Sequence, residues 1–258
     1  MRRPNQKVVV AVVYVSGMIM NSLDSTIVNV ALATLSREFD VTPAAIESVV
    51  IGYLVSLAVF IPASGWLGDR FGTKRIFLTA LMIFTIASAF CGMAQTLNQL
   101  VAFRVLQGIG GGLLTPVGMA MLYRTFPPKE RVAVGRILMF ALIIGPASGP
   151  ILGGLLIEQL SWRWTFYVNI PVGLAALVFG LLFLDEHREP DAGRFDIPGF
   201  LLAGVGFGLL MFGLSEGPSH GWSEPTILGP VFAGAAILVI FVLVELRVAS
   251  PMVQLRLL

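Results

Sequence analysis

The stretch "GWLGDRFGTKR", Gly65–Arg75, gathers Asp69, Arg70, Lys74 and Arg75 within eleven residues. Apolar runs at 43–67 and 76–95 lie on either side of it. Crossing the hydrocarbon core of a bilayer takes about 20 apolar residues in a helix, so each run is long enough. The charged stretch then reads as a short turn outside the membrane between two spans. Composition agrees with this reading. The 258 residues are 56% hydrophobic and 12% charged, whereas a soluble domain carries about a quarter charged residues. Such a chain cannot close around a single aqueous core. It reads as an all-α polytopic membrane protein.

Working outward, apolar runs fall at 8–34, 43–67, 76–95, 98–122, 133–157, 167–184, 198–215 and 226–244. The segment 1–7 precedes the first span, 185–197 links the sixth to the seventh, and 245–258 forms a tail. "MRRPNQK" followed by an apolar run imitates a secretory signal, but no small-residue cleavage site follows, so it is read as the first span. Thr42–Pro43 and Asp196 before Pro198 have the form of helix starts, with a capping side chain and a proline in the first turn.

The basic residues are distributed unevenly. Fourteen Lys and Arg fall on one side: Arg2, Arg3 and Lys7; Arg70, Lys74 and Arg75; Arg124, Lys129, Arg131 and Arg136; Arg188 and Arg194; and Arg247 and Arg256. Only Arg37 and Arg163 fall on the other, and Arg104 is left within a span. The positive-inside rule places both termini in the cytoplasm of a cell-membrane protein. The run "SWRWTFY", with Trp162, Trp164 and Tyr167, is then expected at the outer interface as part of an aromatic belt. A net charge of +2 with no basic cluster gives no reason to expect a nucleic-acid partner.

Charged groups inside spans are costly unless paired or wet, and so mark function. In the first span, Asn21, Asp24, Ser25 and Asn29 fall within an arc of roughly 140° at 100° per residue, a polar stripe facing the bundle interior. In the fourth, Arg104 and Gln107 lie one turn apart. Asp24 and Arg104 sit at similar depth, roughly 10–15 Å below the outer surface at 1.5 Å per residue, so they can pair. A static buried salt bridge is the plain alternative, but buried pairs stabilise little relative to apolar packing.

Glycine gives a third signal. Gly145, Gly149 and Gly153 recur every fourth residue in the fifth span, with Gly154 beside them and Pro146 and Pro150 between. Gly108 and Gly112 repeat the spacing in the fourth. Small residues at this interval let helices approach closely. Two prolines in the same span each remove a backbone hydrogen bond, which implies a bend. The lone Cys91 reads as a packing residue, and there is no metal-ligand cluster or nucleophile constellation. The chain is expected not to be an enzyme and to need no metal or cofactor.

"LDSTIVNVALA", "GWLGDRFGTKR", "RVLQGIGGG", "GPASGPILGG" and "WRWTFYVNIPVG" occur in this order and together resemble the major facilitator superfamily, specifically its fourteen-span drug/proton antiporters. The resemblance covers about 1–250. It implies an N-terminal six-helix bundle, 8–184, followed by two additional spans, 198–244. It also implies roles. Gly65, Asp69, Arg70, Gly72, Lys74 and Arg75 form a cytoplasmic gate, and Asp24 and Arg104 couple protons. Asn21, Ser25, Asn29 and Gln107 line a substrate cavity, and Gly145 to Gly154 form the glycine–proline helix of antiporters. Thr73, Ala33 and Ser48 depart from the family's usual basic residue, proline and tryptophan.

The expected activity is secondary active efflux of small amphipathic drugs or metabolites, with protons as coupling ion and the proton gradient as energy source. By this resemblance the second six-span half is missing, or belongs to a complementary subunit, and the gate lacks the partners that half supplies. A non-transporting remnant and a proton-coupled uptake system are the alternatives.

Overall fold

The stretch Gly65–Arg75 is almost wholly helical. In a computed structural model that describes residues 4–189 and 193–248, α2 runs Pro43–Phe71 and α3 starts at Thr73. The expected turn shrinks to one residue, Gly72, with φ 102°. Only glycine adopts this backbone without strain. The helices therefore outrun the apolar segments read from sequence, because their charged ends continue beyond the hydrocarbon.

The other helices are α1 (Gln6–Glu38), α4 (Leu97–Thr125), α5 (Pro128–Gln159), α6 (Trp164–Tyr167), α7 (Asn169–Phe183), α8 (Ile197–His220) and α9 (Pro225–Glu245). Taking α6 and α7 as one span, the described residues hold eight helices long and apolar enough to cross a membrane. Arg2, Arg3, Arg256, residues 190–192 of the linker and 249–258 of the tail lie outside the described residues. Two starts are capped as their sequences require. Thr42 Oγ1 accepts from Ala45 N at 3.2 Å, and Asp196 Oδ1 accepts from Gly199 N at 2.9 Å.

Within the bundle, α4 packs on α2 and α3, α1 packs on α5 and α7, and the α8–α9 hairpin rests on α2. The starts of α1, α3, α5 and α8 gather at one end with the finishes of α2, α4 and α7. Lys7 meets Glu130 there, Asp69 meets Arg124, and Trp66 Nε1 donates to Gly193 O. We call this the basic end.

Glycine sets how closely α4 approaches its neighbours. A Cβ on Gly108 would stand 2.4 Å from Tyr53 O, and one on Gly112 2.6 Å from Leu57 O, both on α2. A Cβ on Gly110 would stand 2.7 Å from Ala80 O and 2.8 Å from Phe84 N, on α3. The expected Gly108/Gly112 pair is thus one side of a helix that is closely packed on two.

The buried faces form two apolar clusters. One, towards the basic end, holds Tyr14, Phe77, Phe84, Leu114 and Met121; the other holds Ile27, Leu35, Leu100, Trp162 and Phe166. Trp162 is therefore core, 3% exposed and edge-on to Phe39 and Phe166, and not part of a lipid-facing belt. Of the two tryptophans in its run, Trp164 is the exposed one. The outward faces are apolar as well: Phe140, Ile143 and Ile151 on α5 are each about two-thirds exposed. Such a surface needs lipid or a packing partner around it.

Substituting Gly110 with Ala is expected to destabilise the bundle by about 1–3 kcal/mol, since the clash is with backbone that cannot step aside. Gly154→Ala, where a Cβ meets nothing within 4 Å, is expected to change stability by under about 0.5 kcal/mol. Thermal unfolding of both variants in detergent checks the contrast.

Candidate functional site

Between the two apolar clusters lies a layer of polar side chains. Along α1 it falls between Met20 and Ile27, along α3 between Phe84 and Cys91, along α4 between Leu100 and Leu113, and along α6–α7 between Phe166 and Ala176. At its centre Arg104 Nη1 donates to Asp24 Oδ2 at 2.5 Å, with Asp24 0% and Arg104 1% exposed. No other ion pair found among the described residues is buried to this degree.

Further bonds surround the pair. Arg104 Nη1 also donates to Gln107 Oε1 at 2.7 Å, and Arg104 Nε donates to Val49 O at 3.3 Å. The guanidinium lies 4.1 Å from the centre of the Tyr53 ring, a cation–π contact from α2. Asp24 Oδ1 accepts from Gln107 Nε2 and from Asn169 Nδ2, both at 2.9 Å. Both amides also donate to Ser88 Oγ, at 2.7 and 3.1 Å. The Cys91 thiol, buried as expected, points at Gln107 Oε1 at 3.7 Å. Five helices thus meet at one network: α1, α2, α3, α4 and α7.

The stripe read on α1 divides. Asp24 enters the network, while Asn21 is half-buried and accepts from the Tyr53 hydroxyl. Ser25 Oγ donates to Ser22 O of its own helix at 2.9 Å, and the exposed Asn29 donates to Ser25 O at 3.3 Å. Gln107, expected to face a substrate, is 0% exposed and committed to the network. Asn169, Ser88 and Tyr53 were not singled out from the sequence. Each is a single polar residue in an apolar run, and the only signal was the Asn within "FYVNIPVG".

The glycine face of α5 lies on α1, two or three residues from Asp24. A Cβ at Gly145 would meet Ser22 Oγ at 2.6 Å, one at Gly149 Thr26 Oγ1 at 2.2 Å, and one at Gly153 Ile27 Cγ1 at 3.0 Å. Gly154 has no such neighbour. Pro146 and Pro150 sit on the exposed side, and α5 continues through both as one helix. Ser148 Oγ donates to Ile144 O and Gly145 O at 2.7 and 3.1 Å, adding side-chain hydrogen bonds where the prolines break the ladder.

At the basic end several charges of the stretch find partners within the chain. Asp69 Oδ1 accepts from Arg124 Nη2 at 2.8 Å, joining α2 to α4. Glu186 lies against the start of α3 and accepts from Lys74 N at 3.0 Å and Arg75 N at 3.3 Å. A carboxylate there satisfies orphan N–H groups and the helix dipole. Gly72 cannot cap by itself, and a Cβ on it would stand 2.4 Å from Glu186 Oε1. Lys74 Nζ in return donates to Leu184 O at 2.6 Å and Leu181 O at 3.2 Å, capping the end of α7. Thr73, which departs from the family's basic residue, donates from its N to His187 O at 2.9 Å. Arg70 has no such partner among the described residues, and Gly65 faces open space.

A helical bundle of membrane spans enclosing one buried, hydrogen-bonded acid–arginine pair is the construction of a polytopic membrane protein with an ionisable interior site. The family profile of the Major Facilitator Superfamily matches residues 14–254, and the chain belongs to that family. Relatives from Salmonella paratyphi B and Salmonella heidelberg, provisionally named multidrug resistance protein MdtD, are each 39% identical over 241 residues. That alignment takes in 93% of this chain and 51% of each relative, so the chain spans about half the length of the curated relatives it matches. Among solved structures, the human organic anion transporter MFSD10 superposes with TM-score 0.62 at 20% identity, covering 81% of this chain and 55% of that one. The POT family transporter PepTSo gives TM-score 0.62 at 17% identity, covering 92% and 55%. At these identities the two structures establish the shared fold.

Replacing Arg104 with Leu leaves a buried carboxylate unpaired and is expected to cost about 3–5 kcal/mol. The double variant Asp24→Leu/Arg104→Leu removes both charges and is expected to recover most of that loss. Thermal unfolding in detergent measures the difference. At the basic end, Asp69→Asn breaks a half-exposed pair and is expected to cost under about 1 kcal/mol in the same assay.

Proposed function

We propose that this chain acts with a second six-span half, supplied by further sequence or by a complementary subunit, as a proton-coupled exporter of small amphipathic drugs or metabolites. The observation that carries the reading is the fully buried Asp24–Arg104 pair at the meeting of five helices. An acid is costly in a membrane interior, and its presence there is explained by a role in carrying charge. Asp24 takes a proton on one side and releases it on the other, and its distance from Arg104 sets which form is favoured. Alternating access supplies the change in distance when one half rocks against the other.

Export, rather than uptake, is supported by the antiporter-type glycine–proline helix. Its glycine face rests on the stretch of α1 that holds Asp24, so a bend in α5 acts on the proton site. Asn21, Ser25 and Asn29 lie beside Asp24 on the less buried part of α1 and serve as the polar contacts of a substrate cavity. Gln107 holds the acid and not the substrate. Asp69, Arg70, Lys74 and Arg75, with Gly72 as the hinge, close one end of the bundle as a gate. The excess of Lys and Arg at that end supports a cytoplasmic position for it, and for both termini, in a cell-membrane protein. The multidrug naming of the Salmonella relatives supports the substrate class.

The test is substrate-induced proton release from acidified everted membrane vesicles, using a panel that includes cationic dyes and antibiotics. Vesicles holding this chain with its complementary half are expected to release protons when a substrate is added, and Asp24→Asn to abolish that release at equal protein amount. Proton-linked export that survives Asp24→Asn would sink the assignment of the proton site. Transport by the chain alone would overturn the need for a second half.

A further inference from the structure

Every group in contact with the Asp24 carboxylate is a hydrogen-bond donor. Arg104 Nη1 donates to Oδ2, and Gln107 Nε2 and Asn169 Nδ2 donate to Oδ1. Such a shell fits a carboxylate and no other form. When a proton forms an O–H bond at Asp24 Oδ1, a new donor faces only donors, on a carboxyl that is 0% exposed. A buried donor left without an acceptor costs about 1–3 kcal/mol. One neighbour must therefore turn an acceptor towards the acid.

Arg104 has no acceptor to offer. Gln107 could turn, but its Oε1 already accepts from Arg104 at 2.7 Å and from Cys91 at 3.7 Å. Asn169 is different. It is 1% exposed, its Nδ2 makes two bonds, and its Oδ1 accepts from nothing among the described residues. A half-turn of the Asn169 amide would bring Oδ1 to the place Nδ2 now occupies. There it would accept from the new Asp24 O–H and from the Ser88 hydroxyl, which now only accepts, from Gln107 and Asn169. Both bonds lost by Nδ2 are replaced by bonds of the opposite sense, Nδ2 moves to the unpartnered place that Oδ1 now holds, and Arg104 and Gln107 stay in place.

We propose that Asn169 is the positioning residue that makes protonation of Asp24 possible, by reversing its amide when the acid becomes neutral; this rests on Asp24 being the proton site. The other titratable or charged groups around Asp24 do not duplicate it. Arg104 approaches from α4, Tyr53 from α2 and Cys91 from α3, and all three are donors towards this network or stacked on it. α5 meets this part of α1 through glycines. Asn169 opens α7, so the reversal ties the proton state of α1 to the helix whose far end is capped by Lys74. Proton uptake is thereby read out in the span next to the linker.

The test is pH-step infrared difference spectroscopy on the full chain in lipid nanodiscs, with ordinary and side-chain 15N-labelled asparagine. The acid carbonyl band of protonated Asp24 is the one lost in Asp24→Asn. It is expected to arrive together with an asparagine amide band that moves with the label and vanishes in both Asp24→Asn and Asn169→Ala. In Asn169→Ala the acid carbonyl is expected at higher frequency, because its O–H has lost its acceptor. An acid band that appears without any label-sensitive amide change, or that keeps its frequency in Asn169→Ala, overturns the inference while leaving Asp24 as the proton site. If no acid band is lost in Asp24→Asn, the proton-site reading itself fails. The labelled wild-type chain decides the matter even where Asn169→Ala does not fold.

Discussion

A charge in hydrocarbon has to be answered, and in this protein the answer to Asp24 organises the interior. Arg104 neutralises the carboxylate, but a bare pair would still leave donors and lone pairs unmet in a medium without water. Gln107, Asn169, Ser88 and the carbonyl of Val49 complete the bonding, and the Tyr53 ring covers the guanidinium. These residues come from five helices, so those helices must meet at one depth. The polar layer between two apolar clusters follows from that requirement. The small residues of α4 follow from it too, because a helix carrying Arg104 to the centre must sit against α2 and α3 with no side chain between.

The same demand for satisfied backbone shapes the basic end. A one-residue turn between two spans leaves the start of α3 with unpaired N–H groups and no side chain in Gly72 to take them. Glu186, more than a hundred residues later, fills the position, and Lys74 reciprocates at the end of α7. The third and sixth spans are thereby locked through helix termini. The pairs are partly exposed, so each contributes little to stability. Their value lies in fixing the geometry of that end.

The two faces of α5 divide the labour between packing and bending. Its glycines bring it against α1 beside the acid, and its prolines stand on the outer side, where loss of a backbone bond disturbs no neighbour. The helix next to the Asp24–Arg104 pair is thus also one with a weakened ladder.

Much was legible in the sequence because a bilayer imposes local rules. Span length, charge asymmetry and capping residues act within about 20–30 residues of one another, so "TP" at 42–43 and Asp196 announced helix starts that the structure contains. The pairing of Asp24 with Arg104 was legible as well, from depth alone. The rest depended on which faces meet, and that no single helix encodes. Asn169 and Ser88 are unremarked polar residues until packing brings them to Asp24, Trp162 reads as an interface residue until Phe39 and Phe166 bury it, and Glu186 reads as linker until it caps α3. Within one span a polar side chain can satisfy itself on its own turn, as Ser25 does, or reach across to another helix, as Asn169 does. The sequence by itself determined that these helices cross a membrane and that an acid and an arginine lie within it. Only the tertiary structure decided which neighbours complete their bonds, because that choice is made between helices and not along them.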